Sequence, residues 1–394
     1  MAGNELEAKP ARRVRVNPLS LRRLALYLGG FLGPFGTVVI VPMFPELREE
    51  FGASSSAVGL GFSLYLLPFA LTLLFSGTLG ERWGRRRTVR GAYLLYAVAS
   101  LAAAIAPSLG LFIAARAVQG VANAFVTPLL LSGLAQMVPE DRFGRVVGIY
   151  SSLQALGGGA GPLLGGFAAD TNWRLAYVGT GVVALALATL PPDGEPRPGV
   201  AALNVGSLLT RRMVALGTAF LLAAAGPIGI AVLVGVVARD VLDLSGSAAG
   251  FLLAAGALSA MVMGPRWGAL LDRFGVARSL VISLAASVAA TALLGFGVTG
   301  ILLAALWVFA GGINASVTVA FQALGATIEP DNRGGALSFL LAFRFVGHAV
   351  GPLVFVPFID SATVATLLVA ASLGLVAIAI VRSVGVANPA NSTT

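Results

Sequence analysis

The sequence lacks cysteine, has a single histidine and carries few charged residues, and each scarcity excludes a class of chemistry. Without cysteine there is no disulfide framework and no thiolate metal site, and one histidine does not make a cluster of metal ligands. We therefore expect no metal and no cofactor. Only 11% of the 394 residues are charged, whereas 57% are hydrophobic. The mean hydropathy of +0.90 is too high for a water-soluble domain.

Polar interruptions are scarce as well, and twelve apolar runs are long enough to cross a bilayer, which takes about 20 helical residues. The runs lie near 24–45, 58–80, 89–106, 110–137, 145–169, 175–190, 213–238, 249–271, 279–297, 300–328, 335–359 and 363–382. They predict an all-α membrane protein with twelve transmembrane helices. The net charge of +9 does not indicate nucleic-acid binding, because the basic residues lie between the apolar runs.

Basic residues are nearly missing from one side of this predicted membrane. With the N-terminal tail in the cytoplasm, 21 of the 26 lysines and arginines are cytoplasmic, and only Arg48, Arg174 and Arg239 lie outside. The positive-inside rule then predicts a multi-pass protein of the inner (plasma) membrane with both termini cytoplasmic. Cysteines introduced at Ala8 and Asn388 should be shielded from impermeant reagents outside the cell, whereas one at Ser55 should react.

The two halves of the chain repeat each other. Gly33-Pro34-Phe35-Gly36 recurs as Gly226-Pro227-Ile228-Gly229, and NAFVT at 123–127 recurs as NASVT at 314–318. Three further matches keep the same offset, between 190 and 193 residues. A polar break lies near mid-chain. The predicted organisation is a cytoplasmic tail (1–23), a six-helix bundle (24–190), a cytoplasmic linker (191–212), a second six-helix bundle (213–382) and a cytoplasmic tail (383–394).

Motifs in both halves resemble those of the major facilitator superfamily of transporters, over nearly the whole chain from Leu24 to Arg382. GTLGERWGRRR at 77–87 matches the signature between helices 2 and 3, with Glu81 where aspartate is usual. The resemblance implies two pseudo-symmetric six-helix bundles and a cytoplasmic gate in which Glu81 meets loop arginines and the start of helix 11. Alternatively, the arginines only hold the loop in the cytoplasm. The gate residues are Gly77, Glu81, Arg82, Gly84, Arg85 and Arg86, with Asp272 and Arg273 in the second copy.

The glycine-rich segment GGGAGPLLGG at 157–166 resembles the antiporter motif of the twelve-helix drug:proton antiporter branch. The matching residues are Gly148, Gly157, Gly161, Pro162, Gly165 and Gly166. Glycines four residues apart share one helical face, where small residues let a neighbouring backbone approach, and Pro162 permits a kink. This face is either a static packing surface or one on which helix 5 rocks during transport.

Acidic residues are missing from the middle of every predicted span, although proton-coupled exporters of this superfamily commonly use a carboxylate in helix 1 or 4. The ionisable residues within spans are Arg116, Arg344 and His348, and such residues are usually functional. For Arg116, which matches the helix 4 signature together with Gln119, we expect a role in coupling or cavity electrostatics, with hydrogen bonds to backbone carbonyls as the alternative. His348, on one helical face with Arg344, is either a proton carrier or a neutral hydrogen-bonding residue.

The candidate substrate cavity is apolar with a few amides. Its predicted residues are Phe35, Gln119, Asn123, Phe125, Gln154, Asn314, Phe321 and Gln322. Asn123 and Asn314 are repeat mates that face either the cavity or a neighbouring helix through interhelical hydrogen bonds.

The resemblance implies a monomeric secondary transporter that works by alternating access and exports amphipathic small molecules or drugs in exchange for protons. Its partners are then a small-molecule substrate, protons and the lipid bilayer. The alternative is an organic-anion or anionic-lipid carrier that uses Arg116 and Arg344. A membrane enzyme would need a reactive cluster such as paired carboxylates, which the distribution of acids excludes. No segment indicates a signalling domain, although a non-transporting receptor stays open.

Overall fold

The helices of the computed structural model follow the predicted spans in order. The structure describes residues 18–137, 140–196, 208–297, 299–328, 333–359 and 361–384, without the side chains of 18–20, 140–144, 264, 265, 267–272, 326, 333 and 334. Among these residues all regular structure is helical. The long helices are α1 (Pro18–Val38), α2 (Ser55–Trp83), α3 (Arg85–Ala104), α4 (Leu109–Gln136), α5 (Glu140–Ala169), α6 (Arg174–Ala188), α7 (Arg211–Ala225), α8 (Gly246–Phe274), α9 (Val276–Leu294), α10 (Gly300–Ile328), α11 (Arg333–Ile359) and α12 (Thr363–Ser383). Two short helices, Phe44–Phe51 and Ala231–Val236, follow α1 and α7.

Local sequence fixes several helix boundaries. Ser54, Ser108 and Thr210 each accept a hydrogen bond from the backbone N–H three residues later, which satisfies a donor that a helix start leaves free. Gly84 and Gly275 separate α2 from α3 and α8 from α9 with φ angles of 93° and 79°, a region that favours glycine. The two glycines occupy equivalent places in the two halves, so the repeat extends to the turns.

Eight segments of the described chain are long and apolar enough to cross a membrane by length and composition. They are Leu21–Phe51, Ser55–Trp83, Leu109–Gln136, Gly246–Met263, Val276–Leu294, Gly300–Gly325, Gly335–Ile359 and Thr363–Ser383. The four other predicted spans are shorter or less apolar, each for a reason that its sequence shows. α3 begins with arginines, α5 is rich in glycine, α6 has only 15 residues, and α7 ends at the break that follows Ala225. The order of the helices therefore supports twelve spans. For eight of them, length and composition support a membrane crossing as well.

Large apolar side chains cover the outer surface of the helices. Ile105, Val98 and Val182 are 76%, 64% and 57% exposed. In water such a surface would be costly, whereas in a bilayer lipid chains cover it. The exposed apolar surface therefore agrees with a membrane environment.

The same helix contacts recur in both halves. In the first half α1 packs on α5, α2 on α4, and α3 on α4 and α6; in the second, α7 packs on α11, α8 on α10, and α9 on α10 and α12. Two further pairs join the halves, α5 with α8 and α2 with α11. The sequence repeat is therefore also a structural repeat. It relates the contact between α5 and α8 to the contact between α2 and α11.

The loops distinguish the two ends of the bundle. At the end that we call the linker end, Arg22 pairs with Asp193, which precedes the linker, and Arg23 donates a hydrogen bond of 2.8 Å to the carbonyl oxygen of Met137. At the opposite end, called the far end, Asp170 lies beside the start of α8. Both described chain ends, at α1 and α12, lie at the linker end because the helices alternate in direction.

The arginine distribution predicts that the far end lies outside the cell, and cysteine labelling tests this in a chain with no native cysteine. Ala8 and Asn388 lie outside the described residues. Ser55, expected from the sequence to react, is only 8% exposed and hydrogen-bonded to Arg48, so it is a poor site. We expect Ala362→Cys, exposed at the far end, to react with an impermeant maleimide on intact cells, and Ser383→Cys to react only after permeabilisation. The reverse pattern would contradict the predicted orientation.

Candidate functional site

The glycine face of α5 lies directly against the backbone of α1. A Cβ atom added at Gly157 or Gly165 would lie 2.2 Å from a carbonyl oxygen of α1, and one at Gly161 would lie 2.8 Å away, far inside normal contact distance. The carbonyls belong to Phe31, Phe35 and Val39, which are also four residues apart. Only glycine permits this approach, because the two backbones run in register over two turns.

The opposite edge of the motif contacts the second half of the protein. A Cβ at Gly166 would lie 2.2 Å from the carbonyl oxygen of Gly246 on α8, and one at Gly250 would lie 2.5 Å from that of Pro162. α5 therefore packs on its own half and on the other half at once. Gly148 is exposed with no atom within 4 Å of a Cβ, so this member of the motif makes no such contact.

The partial repeat copy of the motif does the same in the second half. A Cβ at Gly347 on α11 would lie 2.3 Å from the carbonyl oxygen of Leu221, and one at Gly351 would lie 2.4 Å from that of Ala225. Both carbonyls belong to α7, the repeat mate of α1. The close backbone contact between the first and fifth helices is therefore present in both bundles.

Arg116 is fully buried inside the first bundle, where its guanidinium bonds backbone carbonyls. Nε donates to Gly61 at 3.1 Å, Nη1 to Gly36 at 2.8 Å, and Nη2 to Thr37 at 3.2 Å. Nη1 also donates to Gln119 Oε1 at 2.8 Å, and the Tyr65 ring centroid lies 4.5 Å from the guanidinium carbon. Hydrogen bonds to backbone carbonyls were the alternative expected for Arg116, although the sequence did not indicate which carbonyls accept them. The contacts join α1, α2 and α4, and a role of Arg116 in coupling stays a prediction.

Asn123 and Asn314 both lie against the Gly-Pro-x-Gly segments of the repeat. Asn314 Nδ2 donates to the carbonyl oxygen of Pro227 at 3.2 Å, and Thr291 Oγ1 donates to the same oxygen at 3.0 Å. In the first half, a Cβ at Gly33 would lie 2.5 Å from Asn123 Oδ1. α7 ends at this segment and resumes at Ala231, whereas α1 continues through Pro34. Asn314 therefore hydrogen-bonds to the segment that follows α7, and Asn123 packs against Gly33 on α1; a role of either in a substrate cavity stays a prediction.

The aromatic residues expected in the cavity are placed differently. Phe321 is fully buried and stacked on Phe220 at 4.3 Å inside the second bundle, so it does not line a space between the halves here. Phe35 is 7% exposed and stacks on Phe31. Phe125 is half-buried and stacks on Trp83 near the linker end. Gln154 and Gln322 are partly exposed on α5 and α10, and Gln119 is held by Arg116.

At the linker end, Glu81 and Arg85 form the centre of a polar network. Glu81 Oε1 accepts hydrogen bonds from Arg85 Nη2 at 2.7 Å and from Ser132 at 2.8 Å, and Arg85 Nη1 donates to Gln136 and to the carbonyl oxygen of Asp193. Glu81 Oε2 is buried with no hydrogen-bond partner among the described residues. The network therefore ties the α2–α3 turn to α4 and to the segment before the linker.

The rest of the predicted gate is described in part. Arg273 is exposed, with its guanidinium carbon 5.5 Å from the Phe274 ring centroid. The side chain of Asp272 and those at the start of α11 lie outside the described residues. A contact between Glu81 and the start of α11 thus stays a prediction.

At the far end, two ion pairs join the halves. Arg48 Nη1 lies 3.2 Å from Asp240 Oδ2, and Arg239 pairs with Glu46. The partners are 192 and 193 positions apart, within the repeat offset of 190 to 193, so each residue pairs with one at or next to its repeat-related position. Equivalent positions of two symmetric bodies touch only near the symmetry axis. These ion pairs therefore mark the pseudo-twofold axis of the protein, beside a cavity of about 420 Å³ lined by Pro45, Arg48, Arg239, Asp240 and Asp243.

Asp170 provides a third link between the halves at the far end. Its two carboxylate oxygens accept hydrogen bonds from the backbone N–H groups of Gly246 and Ser247 at 2.7 and 2.8 Å. An acid here caps the first turn of α8 and favours its dipole. Burial opposes ionisation of Asp170, but the hydrogen bonds from Ser247 and Gly246 and the charge of Arg239 keep its pKa below the ordinary value. The cap is therefore complete at neutral pH and is lost only as the pH falls through that lowered pKa.

Comparison with known proteins gives a consistent result. The family model of the Major Facilitator Superfamily matches residues 26–236 and 213–394. The MFS-type transporter YybF of Bacillus subtilis is 26% identical over 81% of this chain and 83% of its own length. The cephamycin export protein CmcT of Amycolatopsis lactamdurans is 35% identical, over 40% of this chain and 34% of its own. The MFS-type transporter Rv1250 of Mycobacterium tuberculosis is 30% identical, but this chain spans only 29% of its length.

A solved structure shares the whole fold. The bacterial homologue of the human lysosomal transporter Spinster, in an inward-facing and occupied conformation, matches with a TM-score of 0.73 and 18% identity. The match covers 94% of this chain and 97% of that one. The predicted fold class, two pseudo-symmetric helical bundles in a membrane, is confirmed.

Proposed function

The chain belongs to the major facilitator superfamily of transporters, and we propose that within it the protein exports amphipathic small molecules in exchange for protons. That it is a membrane transporter and not an enzyme follows from family membership. Export is supported by relatives named efflux pump, multidrug resistance protein and cephamycin export protein, each similar over part of this chain. The proposal depends most on one observation, the glycine face of α5 seated between α1 and α8.

The contacts of α5 support an alternating-access mechanism. The face toward α1 has no side chains between the backbones, and the edge toward α8 contacts it at Gly166 and Gly250. Such a surface slides with little steric interference, so the bundles can rock around a central site. Asp170 and the two ion pairs join the halves at the far end and close the bundle there. If the far end is external, this is a structure closed to the outside.

Proton exchange needs a group that titrates within the membrane. No acid of the described chain lies in mid-span, and His348 is the one histidine of the sequence. It lies on α11 beside the break in α7, where a Cβ at Gly229 would be 3.0 Å from His348 Nδ1. A proton gained or lost here would act on the non-helical segment that joins α7 to Ala231. His348 is therefore the proposed proton carrier.

The test uses purified protein in proteoliposomes and three probes that share a phenylbutyl tail: the sulfonate, the trimethylammonium and the glucoside. We expect an imposed pH gradient to drive accumulation of at least one probe. His348→Gln keeps a hydrogen-bonding group and loses the titration, so it should abolish pH-driven accumulation while downhill exchange continues. Full pH-driven accumulation by His348→Gln would contradict the assignment of His348, and no exchange of any probe would contradict the transport proposal.

A further inference from the structure

The contacts of α11 define which of its faces lies between the two halves. Phe343 and Gly347 pack on α7, since a Cβ at Gly217 would be 3.0 Å from the Phe343 ring and Gly347 lies against Leu221. Phe345 packs on α2, with its ring centroid 4.9 Å from that of Phe69. Successive residues of a helix turn by about 100°. Positions 344 and 348 therefore fall on the strip between these two contacts, which faces the junction of the halves.

Arg344 on this strip has no acceptor among the residues that the structure describes. It makes no hydrogen bond or ion pair with any described residue, and its Nε is buried without a partner. The ring of Phe345 lies beside it, with its centroid 5.4 Å from the guanidinium carbon, and His348 is one helical turn away on the same face. The residue as a whole is half-buried, and leaving even a partly buried charged group unpaired is costly within a membrane. An arginine that is kept unpaired at this cost indicates that its partner is a molecule other than the protein itself.

Arg116 shows what the same side chain does when its role is internal. All three guanidinium nitrogens of Arg116 donate to oxygens of α1, α2 or α4. Arg116 and Arg344 are the two arginines that the sequence assigns to the membrane interior and not to a loop or a span end. Backbone carbonyl groups of the Gly-Pro-x-Gly segments accept hydrogen bonds in both bundles. In the second bundle the carbonyl oxygen of Pro227 accepts hydrogen bonds from Asn314 and Thr291, and not from an arginine. Arg344 has no such set of acceptors among the described residues, whereas Arg116 is used for packing within its own bundle.

We propose that Arg344 binds the anionic group of the substrate, so that the substrates are amphipathic anions. The guanidinium fork matches the paired oxygens of a carboxylate, sulfonate or phosphate. Phe345, which lies beside Arg344 and is backed by Phe69, offers an aromatic surface to the apolar part of the same molecule. The inference rests on the proposed transport function and adds the charge of the substrate. A soluble anion and an anionic lipid headgroup present the same chemistry to this side chain.

The experiment measures equilibrium binding of the three phenylbutyl probes to the purified full-length protein, and their exchange in proteoliposomes. Arg344→Gln removes the charge at similar length, Arg344→Lys keeps the charge without the fork, and Arg145→Gln, an exposed site on α5, is the matched control. We expect Arg344→Gln to weaken sulfonate binding at least about tenfold, Arg344→Lys to weaken it less, and neither to weaken trimethylammonium binding. Arg145→Gln should bind all probes like the parent.

The outcomes separate the two proposals. Exchange of the trimethylammonium or glucoside probe without sulfonate binding would overturn the anion inference and keep the transport function. Sulfonate binding that depends on Arg344, without exchange of any probe, would keep the anion site and contradict transport. Equal sulfonate affinity in the parent and Arg344→Gln overturns the inference. Repeating the assay in bilayers with phosphatidylglycerol distinguishes the two sources, because a lipid ligand would compete with the sulfonate only in the parent.

Discussion

Replacing Gly157 by alanine should reduce transport at least about tenfold, although the added group is a single methyl. Its Cβ would lie 2.2 Å from the carbonyl oxygen of Phe31, against an ordinary contact above about 3.2 Å. α1 would have to move away from α5 by about 1 Å, which disrupts the backbone contact over its whole length. Alanine favours a helix by up to about 1 kcal/mol over glycine, so the loss would not come from the helix itself.

Gly158→Ala is the matched control, because the neighbouring glycine has no atom within 4 Å of a Cβ. It should exchange the probes within about twofold of the parent and gain the same helix propensity. Gly161→Val, which adds a branched side chain against Phe35 and Val38, should behave like Gly157→Ala. Rates are measured in proteoliposomes with equal amounts of folded protein. Parent-like exchange by Gly157→Ala would show that the close contact is not needed.

Thermal stability then separates the two roles of the glycine face. A static packing surface predicts that the transport rate and the melting temperature fall together. If the surface moves during transport, the transport rate should fall with a smaller fall in the melting temperature. The reason is that a displaced α1 can pack against α5 in one conformation of the transporter and not in the other.

Reversing one charge at the far end should open it. Arg239→Glu places a carboxylate beside Glu46, where an attractive pair stood. Breaking a buried pair costs about 3–5 kcal/mol and an exposed one under about 1. This pair is partly buried, with side chains 10% and 24% exposed. We expect about 2 kcal/mol, a shift of roughly 30-fold toward molecules open at the far end.

A cysteine at Ser55, nearly isosteric with serine and 8% exposed, reports the opening through its rate of maleimide labelling. Labelling should rise in Arg239→Glu and fall back in Glu46→Arg/Arg239→Glu, which restores an attractive pair with the charges exchanged. Arg174→Glu is the matched control, because the Arg174–Glu50 pair lies within one half. Unchanged labelling in Arg239→Glu, or an equal rise in Arg174→Glu, would contradict a role for the axial pairs in closure.

The sequence predicted the features that depend on local spacing. Helix order, the repeat and the shared face of Gly157, Gly161 and Gly165 all follow from periodicity along one segment, and the structure confirms their geometry. The partners of that face did not follow. Which helix lies against α5, and at which residue, is set by the packing of segments more than 100 residues apart in the chain.

Side-chain direction explains most of the remaining differences. Phe321 was expected in the cavity because its helix lines one, but its position on α10 points it into the second bundle, onto Phe220. The cap of α8 by Asp170 was missed, although the SGS sequence at 245–247 marks a helix start with free N–H groups. The axial ion pairs were also missed. Their one sequence signal was the match between their separation and the repeat offset, together with opposite charges.

The ion pairs between repeat-related positions at the far end depend on differences between the two halves. Two identical copies of one half, assembled as a symmetric dimer, would bring each residue at the axis against its own duplicate, glutamate against glutamate and arginine against arginine. Glu46 with Arg239 and Arg48 with Asp240 require the two copies to differ at those positions. These two ion pairs are therefore contacts that a homodimer of either half could not form, and they exist only because the two halves carry different residues at the axis.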